Sequence, residues 1–310
     1  MSFMFDKVAV LGIGLIGSSL CHAMRRKGLA KLIVGHAKSV ETRNVALEIG
    51  LVEQAYATAA EAVVGADLII MCVPVGACGS LAKEIGAHLK PGAIITDVGS
   101  VKGAIVRDCL AFVPKGVHFI PGHPIAGTEQ SGPRSGFAEL FENRWCILTP
   151  LPDGDVAATA KLEAFWQACG SKTELMTPDH HDLVLAITSH LPHLIAYTTV
   201  ATASDLESVT DTEVIKYSAS GFRDFTRIAA SDPTMWRDVF LNNKDAVLEM
   251  LGRFTEELAV LQRAVRWGDG ETLFNLFTRA REARRNIIAA GQDTAAPPLD
   301  VYLLRNDHRT

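Results

Sequence analysis

The sequence predicts an α/β fold in two parts, a doubly wound parallel sheet followed by an all-α region. Three observations carry that reading. Residues 8–176 alternate short Val- and Ile-rich runs with helical patterns, as strands buried on both faces do when helices cross between them. A glycine triplet, Gly12-x-Gly14-x-x-Gly17, joins the first run to the first helix. After Thr177-Pro178 no convincing strand follows as far as residue 291. The 310 residues leave room for about two domains. The expected division is an α/β domain over 1–177, a helical domain over 178–291 and a tail over 292–310.

In chain order, the strand candidates are VAVLGI (8–13), KLIVGH (31–36), LIIMCV (68–73), AIITDV (93–98), HFIPGH (118–123), WCILTP (145–150) and KTELMT (172–177). Helical patterns lie between them at 16–27, 40–49, 59–64 and 77–88. Pro91-Gly92 and Pro114-Lys115-Gly116 mark turns before strands. Pro178 suits the first position of a helix capped by Thr177, and Pro192 inside that helix predicts a kink. Ser231-Asp232-Pro233 is a second helix start of the same kind. Beyond it, Phe240, Val247, Phe254 and Leu261 repeat every seven residues, with Leu251, Leu258 and Val265 interleaved. That seam predicts one helix of about 30 residues, roughly 45 Å long. It is too long for one small domain to bury, so it is expected to pack on other helices and on a second copy of the chain. The basic run 279–285 reads as the solvated face of a late helix.

Composition removes several function classes. Apolar residues make up 48% and charged residues 21%, which excludes a disordered chain. A formal charge of −5 and the lack of a basic domain argue against nucleic acid as a partner. The six cysteines, at 21, 72, 78, 109, 146 and 169, include no CxxC pair. They read as reduced, cytoplasmic usage, with neither a disulfide framework nor a metal site. No apolar run is read as reaching the roughly 20 residues of a membrane helix. Lys7 and the apolar stretch after it have the look of a signal peptide, but no clean cleavage site follows.

The motifs supply the chemistry. Gly12 permits a tight turn, Gly14 a close approach to a pyrophosphate, and Gly17 close packing of helix on strand, with the helix N-terminus facing the phosphates. Ile13, Leu15 and Ile16 in that loop, with Val73 and Pro74 at the end of the 68–73 strand, complete the expected dinucleotide contacts. An NAD site expects an acidic residue after the second strand; here stand His36 and Ala37, then Lys38, Ser39 and Arg43. A small residue followed by cations admits a 2′-phosphate, so the cofactor reading leans to NADP over NAD. Asp97-Val-Gly-Ser100-Val-Lys102 ends a strand, where Ser100 suits both a helix cap and a ligand contact. His123, in GHPIAGTE at another strand end, is the candidate general base, because imidazole titrates near neutrality. His190 and His193 share a helix face; without a carboxylate set they read as a polar contact and not as a metal site. In SGFRDFTR an arginine is placed to clamp a carboxylate.

Taken together and in this order, GIGLIGSS, DVGSVK, GHPIAGTE, SHLPH, GFRDFTRIA and SDPTMWRD resemble the prephenate/arogenate dehydrogenases of tyrosine biosynthesis, from about residue 7 to 290. The resemblance implies a Rossmann-like domain followed by a helical dimerisation domain. It also implies oxidative decarboxylation of prephenate, arogenate or both, with hydride passing to NAD or NADP. Carried over by motif, His123 accepts the proton of the ring hydroxyl and Ser100 helps orient it. Arg227 binds a substrate carboxylate with His193 in support. Thr128, Glu129, Asp224 and Trp236 look like pocket or gate residues, with His190 and Asp182 behind them. The first strand begins near residue 8 and about 19 residues follow 291, so the fused mutase or C-terminal regulatory domain of some relatives is not expected. A 3-hydroxy-acid dehydrogenase of similar layout is the rival enzyme, but residues 178–203 hold no lysine where such enzymes place theirs. A non-catalytic dinucleotide sensor would not need His123, Ser100 and Arg227 together.

Overall fold

The computed structural model describes residues 3–128, 130–205 and 220–292. Six strands form one parallel sheet in the order β3-β2-β1-β4-β5-β6. They are β1 (Phe5–Leu11), β2 (Ala30–His36), β3 (Gln54–Tyr56), β4 (Leu68–Met71), β5 (Ile94–Asp97) and β6 (His118–Phe119). Helices α1 (Leu15–Lys27), α2 (Val40–Glu48), α3 (Ala59–Val63), α4 (Val75–Ile85) and α5 (Gly103–Cys109) cross between them. The strand order reverses between β1 and β4. Ligands of such sheets sit beyond the strand carboxyl ends at that reversal.

The two-residue period of the strands sorts the core into two layers. Val8, Val10, Ile33 and Ile70 face Leu20 and Met24 of α1, together with Phe165 and Trp166 of α6 (Val156–Ala168). Ala9, Leu11, Val34, Ile69 and Ile95 face the opposite way, onto Leu81, Ile85 and Ile105. Full burial of each large apolar side chain contributes about 1.5–3 kcal/mol. All six cysteines are free.

The later strands depart from the expected single sheet. HFIPGH divides at Pro121, which lacks the N–H a continuing ladder needs. Its first half is β6; its second is β7 (Gly122–Pro124), paired antiparallel with β8 (Trp145–Leu148). β9 (Lys172–Leu175) runs parallel to β8, so β7-β8-β9 form a separate sheet. The three-residue β3 is too short to show a period, and α5 and α6 were not anticipated.

From Pro178 onward the described chain is helical. Thr177 caps α7 (Pro178–Leu185) by accepting the His180 N–H at 3.3 Å. A π turn, Ala186–His190, then leads into α8 (Leu191–Ser204). The wider turn lies directly before Pro192, which cannot make the ordinary helix hydrogen bond. Contrary to the sequence reading, the run Pro178–Ser204 is long and apolar enough to cross a membrane by length and composition, with a hydropathy of 1.3 over 18 residues. Here its buried His181 and Asp182 bind the α/β half and its buried His190 bonds Asn243 instead, and ionisable groups of that kind are costly in a bilayer.

After α9 (Ser220–Thr226), the heptad seam is not one helix but two, α10 (Pro233–Asn242) and α11 (Lys244–Trp267), followed by α12 (Gly270–Gln292). The break falls at Asn243, whose side-chain amide lies 2.8 Å from the Asp182 carbonyl and 3.1 Å from His190 Nδ1. α10 buries Trp236 and Val239 in the core layer shared with α4 and α5. Val247 and Met250 of α11 pack on Ala186 and Leu191, whereas Leu258 and Val265 remain 51% and 68% exposed. These two residues line a groove of about 500 Å³ with Thr255, Ala259, Leu261 and Gln262. Two of the seven seam residues, both near the far end of α11, are therefore uncovered within one chain. Replacing Leu258 and Val265 together by Glu is expected to convert a dimer to monomers in sedimentation equilibrium. An unchanged mass would reject this face as the self-association surface.

Candidate active site

The glycine loop separates into two structural positions and one open one. Gly12 has φ +102°, and a Cβ there would lie 2.2 Å from the Cys72 carbonyl oxygen. A Cβ on Gly17 would lie 2.1 Å from the Gly12 carbonyl oxygen, which explains the close seating of α1. A Cβ on Gly14 meets nothing within 4 Å. That open face, beside an α1 N-terminus with no side-chain cap and no acidic residue in its first turn, fits a pyrophosphate. Leu15 and Ile16 are half-buried at the same turn, while Ile13 is buried in the core. Val73 and Pro74 follow β4 and lie next to this loop, with a Val73 methyl 3.2 Å from the position a Gly12 Cβ would take.

At the end of β2, His36 Nδ1 donates to the Tyr56 carbonyl at 3.1 Å. Ala37 is buried; Lys38 and Ser39 are exposed, and Ser39 caps α2. The Arg43 guanidinium folds back onto the carbonyls of Ala37 at 2.6 Å and Lys38 at 3.0 Å. This end of the strand thus carries cations and no carboxylate between residues 34 and 40.

Beyond β5 and β7 lies a buried polar cluster. Lys102 and Asp97 are both fully buried and paired, and Lys102 Nζ also donates to the Gly122 carbonyl at 2.6 Å. Asp97 in turn accepts the Gly99 and Gly122 N–H groups at 2.7 and 3.2 Å. Burial pushes the Asp97 carboxyl up, and Lys102 and these two donors pull it back. The pair locks the β5 end to the start of β7, which brings Ser100 and His123 to one end of the sheet. Ser100 does not cap α5. That task falls to Asp182 of α7, which accepts the N–H groups of Lys102 and Gly103 at 2.7 and 2.8 Å. Sequence reasoning could not place a cap about 80 residues away.

His123 is buried, and its Nδ1 lies 2.8 Å from His181 Nε2; His181 Nδ1 lies 2.8 Å from Asp182 Oδ1. Burial, then the neighbouring His181, Lys102 and His190, hold His123 well below the ordinary histidine range. Burial also lowers His181, against the opposing pull of Asp182. Sequence reasoning gave His181 no role, because a helix-start histidine shows nothing of what packs against it. Burial pushes the thiols of Cys21, Cys109 and Cys169 up to about 12, which leaves them poor nucleophiles.

The helical half contributes a second group. His193 donates Nδ1–H to the Ser189 carbonyl at 2.9 Å and stacks on Trp236, with ring centroids 3.6 Å apart. Burial and the nearby Arg227 lower its pKa. Trp236 Nε1 has no partner among the described residues, and the ring is both core packing and a wall for His193. Tyr197 donates to the Ser231 carbonyl at 2.7 Å, tying α8 to the short turn Arg227–Ala230. Arg227 and Asp224 are exposed, and Thr128 is half-buried, accepting the Gln130 N–H at 3.2 Å. Glu129 lies outside the described residues. Trp236 stands between the two later histidines, its ring centroid 3.6 Å from that of His193 and 6.1 Å from that of His190.

Residues 20–175 match the family model described as prephenate dehydrogenase, nucleotide-binding domain, and residues 177–279 the one described as prephenate dehydrogenase, dimerization domain. The chain is 39% identical to a cyclohexadienyl dehydrogenase of Zymomonas mobilis, across 90% of this chain and 95% of that protein. It is 32% identical to a prephenate dehydrogenase of Bacillus subtilis, across 99% and 83%. Among solved structures, prephenate dehydrogenase from A. aeolicus in complex with hydroxyphenyl propionate and NAD+ aligns at TM-score 0.85 and 33% identity, covering 93% of this chain and 99% of that one. Synechocystis arogenate dehydrogenase aligns at 0.77 and 29%, covering 91% and 99%.

The buried histidines set an acid limit on stability. His190 is lowered to about 4 by burial; the Ser100 backbone lies near enough to favour its proton but falls short of hydrogen-bond geometry. Its folded pKa lies below its unfolded one, so its contribution is complete above about pH 6.5 and lost as pH falls towards about 4. That loss is about 3 kcal/mol for His190, and His123 and His181 shift in the same direction. Denaturant unfolding at about pH 7.5 and about pH 4.5 should show a smaller pH difference in His190→Gln than in the parent. Equal differences would mean that His190 titrates normally.

Proposed function

The chain belongs to the prephenate dehydrogenase family, and from that premise we propose how its residues divide the reaction. The protein is an oxidoreductase acting on prephenate or arogenate with a nicotinamide dinucleotide. The substrate is a cyclohexadienol with a ring carboxylate and a second carboxylate on its side chain. When bound, the nicotinamide supplies the acceptor for a hydride, and loss of the ring carboxylate as carbon dioxide aromatises the ring. With that thermodynamic drive, the protein's work is to orient the substrate and to take one proton.

The observation that carries this reading is a buried His123, held neutral and bonded to His181 at the seam of the two halves. A neutral imidazole there accepts the ring-hydroxyl proton as the carbonyl forms. Ser100, at the same sheet end, orients the hydroxyl. Arg227 clamps the side-chain carboxylate, with His193 held beside it by Trp236. Thr128, Glu129 and Asp224 border the pocket. The open face at Gly14 receives the pyrophosphate, in a turn that Gly12 and Gly17 make possible. His36, Ala37, Lys38, Ser39 and Arg43 receive the adenosine ribose, and the lack of a carboxylate there favours NADP over NAD. The free cysteines support a cytoplasmic enzyme.

Incubation with prephenate or arogenate and either NAD or NADP, followed by the absorbance of reduced nicotinamide, tests the assignment. Turnover with neither substrate would overturn it, and a lower KM for NAD would reverse the cofactor preference. His123→Asn is expected to lower kcat by about 10²–10⁴-fold with cofactor affinity retained. Arg227→Ala is expected to weaken substrate binding by about 1.5–3 kcal/mol with kcat less affected. Wild-type kinetics in either variant would remove the corresponding role.

A further inference from the structure

We infer that His181 and Asp182 are positioning residues which, from the helical half, fix the ring tautomer of His123 so that its Nε2 faces the site without a hydrogen. The inference rests on His123 being the base, and it adds to that reading how the base is kept ready.

The assignment follows from which atoms accept. Both Asp182 oxygens already receive backbone donors, Lys102 N–H on Oδ1 and Gly103 N–H on Oδ2. An oxygen of that carboxylate offers His181 Nδ1 only lone pairs across 2.8 Å, so Nδ1 carries the hydrogen. His181 is buried and neutral, so its Nε2 is a bare lone pair. His123 Nδ1 stands 2.8 Å from that lone pair and must donate to it. One hydrogen per neutral ring then leaves His123 Nε2 as the position open to a proton.

The reverse arrangement sets a His181 lone pair against the Asp182 carboxylate and puts a hydrogen on His123 Nε2, where it blocks the reaction. In the forward arrangement, the substrate O–H bond breaks and Nε2–H forms as the ring C–H bond gives up its hydride, leaving a carbonyl; when the ring carboxylate then leaves as carbon dioxide, its bonding pair aromatises the ring and the oxygen takes the proton back from Nε2. In between, the charge on His123 is stabilised through His181 by Asp182. His181 touches neither substrate nor proton. It acts because a ring nitrogen without a hydrogen points at His123.

Two variants separate this from simple packing. In His181→Gln the amide oxygen stands close to the former Nε2 and still accepts from His123, so kcat should stay within about threefold of the parent. His181→Phe fills the space without an acceptor and should lower kcat by about 10²–10³-fold, with KM and cofactor affinity little changed. Equal kcat in the two variants would overturn the proposal. A readout on the unaltered protein covers the case in which His181→Phe misfolds. Long-range ¹⁵N–¹H correlation of histidine-labelled enzyme, with His123 assigned through its loss in His123→Gln, should show His123 and His181 both protonated on Nδ1. A His123 ring protonated on Nε2 would refute the inference and leave the base assignment to the kinetics of His123→Asn. Full activity of His123→Asn would refute the base and leave the tautomer result standing.

Discussion

Asp182 answers three demands with one buried carboxylate. It receives the N–H groups of Lys102 and Gly103 at the start of α5, a helix with no side-chain cap from its own N-cap residue, and it receives the hydrogen of His181. A helix N-terminus carries a partial positive charge, so an acidic group there is favourable, and orphaned buried N–H groups cost about 1–3 kcal/mol each. The same contact joins the halves, because α5 belongs to the parallel sheet and Asp182 to α7. Asn243 extends the joint by bonding the Asp182 carbonyl and His190, at the cost of breaking a helix that the apolar repeat would otherwise continue. Much of the geometry at the sheet's carboxyl end hangs from this one side chain.

The Lys102–Asp97 pair works on the other side of the cluster. Burying two charges is costly unless every lone pair and proton finds a partner. Here Gly99, Gly122 and the Gly122 carbonyl complete the set. The pair therefore does more to locate than to stabilise. It stitches the last full strand of the parallel sheet to the first strand of the small mixed sheet, and so fixes where His123 emerges.

The two-part fold was legible because both signals are local. Val- and Ile-rich runs with a glycine triplet define a parallel sheet, and Thr177-Pro178 marks the change to helices. The three-residue β3 left no period to read. Pro121 divided HFIPGH between two sheets, an event that depends on what the second half pairs with. The heptad pattern correctly identified the apolar face of α10 and α11 but could not register that Asn243 would be drawn into a buried bond. In the site, single residues in strong motifs, such as His123, stood out, whereas His181 did not. Its role comes from two neighbours that are distant in sequence or supplied by the fold. Ser100 suited a helix cap by local rules, and a residue from the other half took the position instead.

The α5 cap lies about 80 residues downstream of the helix it closes, which has a consequence for synthesis on the ribosome. The parallel sheet can be complete, with β1 to β6 paired, while α7 is still inside the exit tunnel. During that interval the first turn of α5 has only water as acceptor for its N–H groups, and the His123 ring lacks the partner that orients it. Vectorial folding therefore yields a nucleotide-binding half whose catalytic end stays frayed until the helical half emerges and docks.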